Sequence, residues 1–160
     1  MIRVQYEHET QALASEFLRA LATDDVATVW ERLSRESRGL LEGRFAARSG
    51  LALQQVAGAD GDEPIRRYAM PLRDAVLAAL GGAERVQQFG VSAARVVDRR
   101  TAYVLLLPDF GPERIVAEED WKPSHLIALV NESREWLVDL GRTASLSAEA
   151  GLPDPLGPIP

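Results

Sequence analysis

The last third of the chain is the feature that most constrains its fold. From Phe89 to Gly141, short apolar runs alternate with turn residues, and the segment closes on Glu-Trp-Leu-Val-Asp-Leu-Gly. Runs of this length with period-two alternation predict β-strands, and the short links between them favour antiparallel neighbours. The first half of the chain has apolar residues at helical spacing instead. This order predicts an α+β fold in which N-terminal helices pack in the concave face of a curved antiparallel sheet, giving a cone-like shape.

The strand region divides into five segments separated by turn residues. Alternation places His125, Ile127 and Leu129 on one face of the fourth segment, with the residues between them on the other face. Both faces are largely apolar, so we expect one face to meet the helices and the outer face to meet another subunit in a homodimer. The five predicted strands are Val91–Val97, Thr101–Leu107, Glu113–Asp120, His125–Val130 and Glu135–Leu140.

Amphipathic helices are predicted for the first half. Pro71 interrupts the helical register of its segment, because proline lacks an amide proton and collides with the preceding turn, so we expect a kink or two abutting helices there. The segment Leu51–Val56 is ambiguous, and the acidic loop that follows it is turn-rich. The predicted helices are His8–Leu21, one capped at Thr23–Asp25, one from Ser34 to Gly50, one from Pro64 to Leu80, and a short turn at Ala83–Gln88.

The chain length of 160 residues suits one domain, which we place at residues 1–147. Residues 148–160 form a tail with four prolines and two glycines, a composition that opposes a helix or a central strand. We expect an extended arm. Its apolar residues Leu152, Leu156 and Ile159 either dock onto the body or remain disordered.

Composition excludes several classes of function. The formal net charge of -6 opposes binding to nucleic acid or to anionic lipid. There are no cysteines, and His8 and His125 are the only imidazoles, so we expect neither a metal nor a cofactor. The sequence contains no dinucleotide-binding, phosphate-binding or serine-hydrolase motif. It also has no secretory signal and no apolar run long enough to span a membrane, so a cytoplasmic protein is expected.

The order of elements resembles the nuclear transport factor 2-like superfamily. The resemblance rests on Leu13–Leu33, with its capped Asp-Asp-Val segment leading to a tryptophan, and on Val91–Leu140, which ends in the Glu-Trp-Leu-Val-Asp strand. It implies a bent sheet wrapped around helices, with an apolar cavity that members use differently, as isomerases, dehydratases, epoxide hydrolases, polyketide cyclases or non-catalytic adaptors. Fold alone does not select among these functions.

Two titratable residues of the predicted sheet are candidates for catalysis. His125 titrates near neutral pH and would serve as a general base if it faces a cavity. Asp139 lies on the strand face opposite Trp136 and Val138, and if that face is internal its carboxyl would suit acid/base chemistry near neutral pH. The structural alternatives are a strand-end histidine with a local hydrogen bond, and an edge carboxylate paired with an arginine such as Arg142.

Four aromatic residues are candidates for the wall of a ligand cavity, namely Trp30, Tyr68, Tyr103 and Trp121. Each is more economically explained as a core residue. We therefore keep two hypotheses. The first is a cavity protein that binds a small apolar ligand or performs acid/base chemistry on it without a cofactor; the second is a non-catalytic interaction module that forms a homodimer.

Overall fold

The computed structural model describes residues 2–56, 61–108 and 122–157, with side chains described from residue 9 onward. Three of the expectations fall elsewhere: the strand predicted at Glu113–Asp120, the candidate ligand residue Trp121 and the tail residue Ile159 lie outside the described residues. Within the described ranges the elements are α1 Ile2–Ala22, α2 Val26–Glu31, α3 Arg35–Ser49, α4 Leu53–Val56, α5 Asp62–Leu80, α6 Ala83–Gln87, β1 Gly90–Val91, β2 Arg95–Val96, β3 Thr101–Leu107, β4 His125–Glu132, β5 Glu135–Val138 and α7 Leu140–Ala150.

The sheet is antiparallel and strongly curled, and helices pack against it, which confirms the predicted α+β, cone-like architecture. Its strand order is β1-β3-β4-β5, and β2 pairs with β3 as well. The bounds of β3 match the prediction. A two-residue turn at Ser133 and Arg134, both with positive φ, joins β4 to β5 as the right-handed twist of a hairpin requires.

The segment predicted as one strand at Val91–Val97 is instead two short strands, β1 and β2. Ser92 separates them: its amide donates to the Leu105 carbonyl at 3.0 Å, while its hydroxyl accepts from the Leu105 amide at 2.8 Å. A side-chain oxygen thus takes the place of a backbone carbonyl in the ladder. The Ser92 hydroxyl gives the Leu105 amide an acceptor, but the regular strand is interrupted at this point. Alternation of apolar and polar residues alone does not reveal such an interruption.

The helix ends are set by the residues that the sequence indicated. Asp25 caps α2 and Ser34 caps α3, each accepting from a backbone amide three residues later. Gly50 ends α3 in the left-handed conformation that glycine adopts without a steric penalty. Pro71 lies inside one helix, α5, so the expectation of two abutting helices is wrong. The ambiguous segment after Gly50 contains the short helix α4.

Helix α7 was not predicted, and it changes the outer side of the sheet. The strand expected to reach Leu140 ends at Val138, because Asp139 accepts from the Arg142 amide at 2.8 Å and caps a helix that begins at Leu140. The helix runs through Ala150, into the tail that was expected to be extended. Beyond it Leu156 is only 1% exposed and belongs to the hydrophobic core, so the tail docks onto the body at this residue.

The two faces of β4 are both buried, by different parts of the chain. Ile127 and Leu129 join the core with the inward residues of β3, as the alternation predicted. On the outer face Leu126 and Ala128 are buried beside α7, whose Thr143 hydroxyl accepts from the Ala128 amide at 2.9 Å. The chain itself therefore covers much of the apolar surface on which the homodimer expectation was based.

Candidate functional site

Two of the predicted ligand residues, Trp30 and Tyr68, lie together in the core. Their ring centroids are 5.8 Å apart, and Phe45 packs edge-on against Tyr68 at 5.0 Å. Trp30 and Tyr68 are 9% and 5% exposed, and the Tyr68 hydroxyl donates to the Val56 carbonyl at 3.3 Å. We call these three residues the aromatic cluster. The rings pack against one another and the Tyr68 hydroxyl has a hydrogen-bond acceptor, so the cluster has the character of a closed core.

Tyr103 lies on the opposite side of the sheet. It is half-buried and lines a cleft of about 370 Å³ beside α7, together with Leu105, Leu146 and Leu152. We call this the outer cleft. Tyr103 pairs with Ala128 of β4, whose side chain also faces outward. The candidate ligand residues that the structure describes therefore do not converge on one cavity.

His125 is half-buried at the start of β4, and its Nδ1 is 2.8 Å from the Ser124 hydroxyl. This is the local hydrogen bond that the structural alternative anticipated. Burial lowers the pKa of His125 from its ordinary value of 6.5, while the charge of Asp154 in the tail opposes that shift. At neutral pH the imidazole is consequently neutral, the protonation state of a base.

Asp139 is 3% exposed, and both of its carboxylate oxygens are engaged. Oδ2 accepts from the Arg142 amide at 2.8 Å, and Oδ1 accepts from the Ser34 hydroxyl at 2.6 Å. Ser37 completes the arrangement, since its hydroxyl lies 2.7 Å from that of Ser34 and accepts from the Leu140 amide at 2.8 Å. The carboxylate thus joins the N-termini of α3 and α7, a role that holds the fold together.

The two candidate catalytic residues do not form a pair. The Asp139 amide donates to the Ala128 carbonyl, which places Asp139 beside a residue three positions along β4 from His125. Three residues of a strand span about 10 Å, too far for a hydrogen bond between the two side chains. The Asp139 side chain is also directed at two serines. No shared proton-transfer site is formed by His125 and Asp139.

A larger open site lies on the flank of α1. It is a groove of about 670 Å³ between α1, α6 and β1, which we call the α1–α6 groove. Leu18, Val86 and Phe89 are buried and form its apolar floor. The rest of the lining is Ala12, Ser15, Glu16, Arg19, Thr23, Gln87 and Val91. An apolar floor with a few polar groups at the rim is the composition of a small-molecule site.

Local hydrogen bonds hold the walls of the α1–α6 groove in place. Gln11 on α1 donates to the Val91 carbonyl of β1 at 2.9 Å, which fastens the helix to the edge of the sheet. The Thr23 hydroxyl donates to the Arg19 carbonyl at 2.8 Å and closes the end of α1. Gly82 has a φ of 104°, a conformation that favours glycine, and it turns the chain from α5 into α6.

The sequence interpretation missed this groove altogether. Its floor residues were identified only as parts of amphipathic helices and of a strand start, which is the pattern of ordinary core residues. None of the five predicted site residues that the structure describes lines it. Within the described ranges, no group of three histidine, aspartate or glutamate residues is arranged to hold a metal ion. None of the described helices is long and apolar enough to cross a membrane.

Comparison of the chain with protein-family models, with curated proteins and with solved structures gives no match.

Proposed function

We propose that this protein binds a small apolar or amphipathic molecule in the α1–α6 groove. The observation that carries the proposal is the combination of a volume of about 670 Å³ with a buried apolar floor that opens to the surface. That volume lies within the range of about 300–1,000 Å³ typical of small-molecule sites. Leu18, Val86 and Phe89 would cover one side of the ligand, and burial of its apolar surface would drive binding.

Binding is favoured over catalysis by the ionisable groups available at the groove. Glu16 and Arg19 are the ionisable residues of its lining, and Glu16 is held in an ion pair with Arg32. His125 and Asp139, the residues considered for acid/base chemistry, are absent from the lining. The described lining therefore offers a shaped apolar surface without a free general base, which suits a binding protein.

The resemblance to the nuclear transport factor 2-like superfamily stays a prediction. The helices-then-meander order and the curled sheet support it. Our proposal does not depend on it, because the proposal rests on the volume and the lining of the α1–α6 groove.

The proposal is tested by filling the groove. Ala12 is an exposed residue of its rim, so Ala12→Trp should occupy the space with little effect on the fold. Ala79→Trp, at an exposed position of α5 outside the groove, is the matched control. With decanol as probe, isothermal titration calorimetry should show binding to the wild type and to Ala79→Trp, and at least about tenfold weaker binding to Ala12→Trp. Equal binding by all three proteins would refute the proposal.

A second candidate function, homodimerisation, is supported by the outer cleft. Tyr103 and Leu105 remain partly exposed there beside α7, so an apolar surface is left for a second copy of the chain. Native mass spectrometry over a range of concentrations tests this candidate. A dimer that Leu105→Glu disrupts and that Val97→Glu, at an exposed strand-edge position, leaves intact would support it. A monomer at every concentration would reject it.

A further inference from the structure

The charges at the rim of the α1–α6 groove are unequal. Glu16 has both carboxylate oxygens engaged by Arg32, at 3.2 Å to Nε and 3.3 Å to a terminal guanidinium nitrogen. This ion pair, in which one terminal guanidinium nitrogen donates a hydrogen bond, offsets the charge of Glu16 in part, since Arg32 also lies 3.9 Å from Glu135. Arg19 differs: it is exposed in the last turn of α1, and no acidic side chain of the described residues forms an ion pair with it. Among the described lining residues, Arg19 thus supplies a positive charge without an ion-pair partner above the apolar floor.

We infer that the ligand of this groove is a straight-chain carboxylate. Its apolar chain lies on Leu18, Val86 and Phe89, and its carboxylate pairs with the Arg19 guanidinium. The planar guanidinium presents donors in a fork that matches the two oxygens of a carboxylate. Ser15 and Thr23, which also line the groove, add neutral hydroxyl groups near the same end of α1. A cationic ligand would instead meet the repulsion of Arg19.

This inference rests on the proposed function and specifies the ligand class of the same groove. The probes are decanoate and decanol, which share an apolar chain and differ in the charge of the head group. The variants are Arg19→Gln and a matched control, Arg48→Gln. Arg48 is likewise an exposed arginine in the last turn of a helix, α3, and it does not line the groove.

Calorimetry at low ionic strength should show tighter binding of decanoate than of decanol to the wild type. Arg19→Gln should weaken decanoate binding by about threefold to fivefold, the upper end of the effect of a partly exposed ion pair, and weaken decanol binding clearly less. Arg48→Gln should bind both probes as the wild type does. Added salt should reduce the advantage of decanoate, because it screens the exposed charges.

The outcomes separate the ligand class from the proposed function. If the wild type binds decanol as tightly as decanoate, or if Arg19→Gln weakens both probes equally, the carboxylate assignment is overturned. If decanol binding is then still lost in Ala12→Trp, the groove remains a binding site for a different class of ligand. If the wild type binds neither probe, the proposed function fails and the carboxylate assignment fails with it.

Discussion

The aromatic cluster and the α1–α6 groove contain similar apolar side chains, yet one is closed and the other open. Helices α2 and α3 both pack on α5 around the cluster, and the rings of Trp30 and Phe45 pack on the ring of Tyr68. The groove has α1 on one side and the short elements α6 and β1 on the other. A five-residue helix is about 7.5 Å long, whereas the 21 residues of α1 extend over about 31 Å. The short length of the elements that face α1, rather than the apolar composition, therefore leaves space for a ligand.

The largest effect should come from truncating the closed cluster. Trp30→Ala removes a buried ring that packs on Tyr68, and it should lower the free energy of unfolding by about 3–5 kcal/mol. Urea unfolding at constant pH measures this loss. The groove is a separate site, so the folded fraction should still bind decanol with wild-type affinity. A stable Trp30→Ala protein that no longer binds decanol would show that the cluster, and not the groove, holds the ligand.

An intermediate effect is expected for Asp139→Ala. The substitution removes the cap of α7 and leaves the Arg142 amide and the Ser34 hydroxyl without their acceptor, which should cost about 2–3 kcal/mol. Asp139→Asn retains one acceptor oxygen and should cost less. Amide hydrogen exchange of α7 should accelerate in the alanine variant. Unchanged stability together with altered decanol binding would instead place Asp139 in a ligand site.

The smallest effect concerns His125. Because burial lowers the pKa of His125 in the folded protein, the unfolded chain binds the proton more readily, and stability should fall as the pH drops below about 6.5. At higher pH the imidazole is neutral in both states and contributes no pH dependence. His125→Gln should therefore lose less stability than the wild type between about pH 7.5 and pH 5.5. The same slope in both proteins would mean that the buried ring is not the cause.

Much of the fold could be predicted because local signals and burial agree. β3 has period-two alternation and begins after Asp98, whose carboxylate accepts from the amides of Arg100 and Thr101. These bonds also lower the pKa of Asp98. α3 has a serine cap at one end and a glycine at the other. In both elements the residues that set the bounds are adjacent to the apolar pattern, so the bounds can be predicted from a single sequence.

α7 was missed because its residues are small and its cap resembled the end of a strand. Asp139 continues the alternation of β5 before its side chain turns back to the Arg142 amide. The available signal was an Asp cap followed at helical spacing by Thr143 and Ser147, with Gly151 ending the helix in the left-handed conformation. Thr143 and Ser147 are buried in place of large apolar side chains, so the helix lacks the stripe of leucines and valines by which the other helices were predicted.

The groove could not be predicted from any residue type. Leu18 and Val86 look like core residues in the sequence, and they are buried in the structure. What makes them the floor of a groove is the early end of α6 and the turn into β1, which depend on the packing of several elements. The proposed role of Arg19 likewise depends on Arg32 engaging Glu16, a pairing between α1 and the residue that follows α2.

The most direct test of the account is to map decanol binding on the protein by amide chemical shifts in two-dimensional NMR. We expect the perturbed amides to cluster at Ser15, Arg19, Val86 and Phe89, which line the α1–α6 groove. The amides of the outer cleft and the indole of Trp30 should stay unperturbed. Perturbations centred on the outer cleft or on the aromatic cluster would contradict the claim that this groove is the binding site.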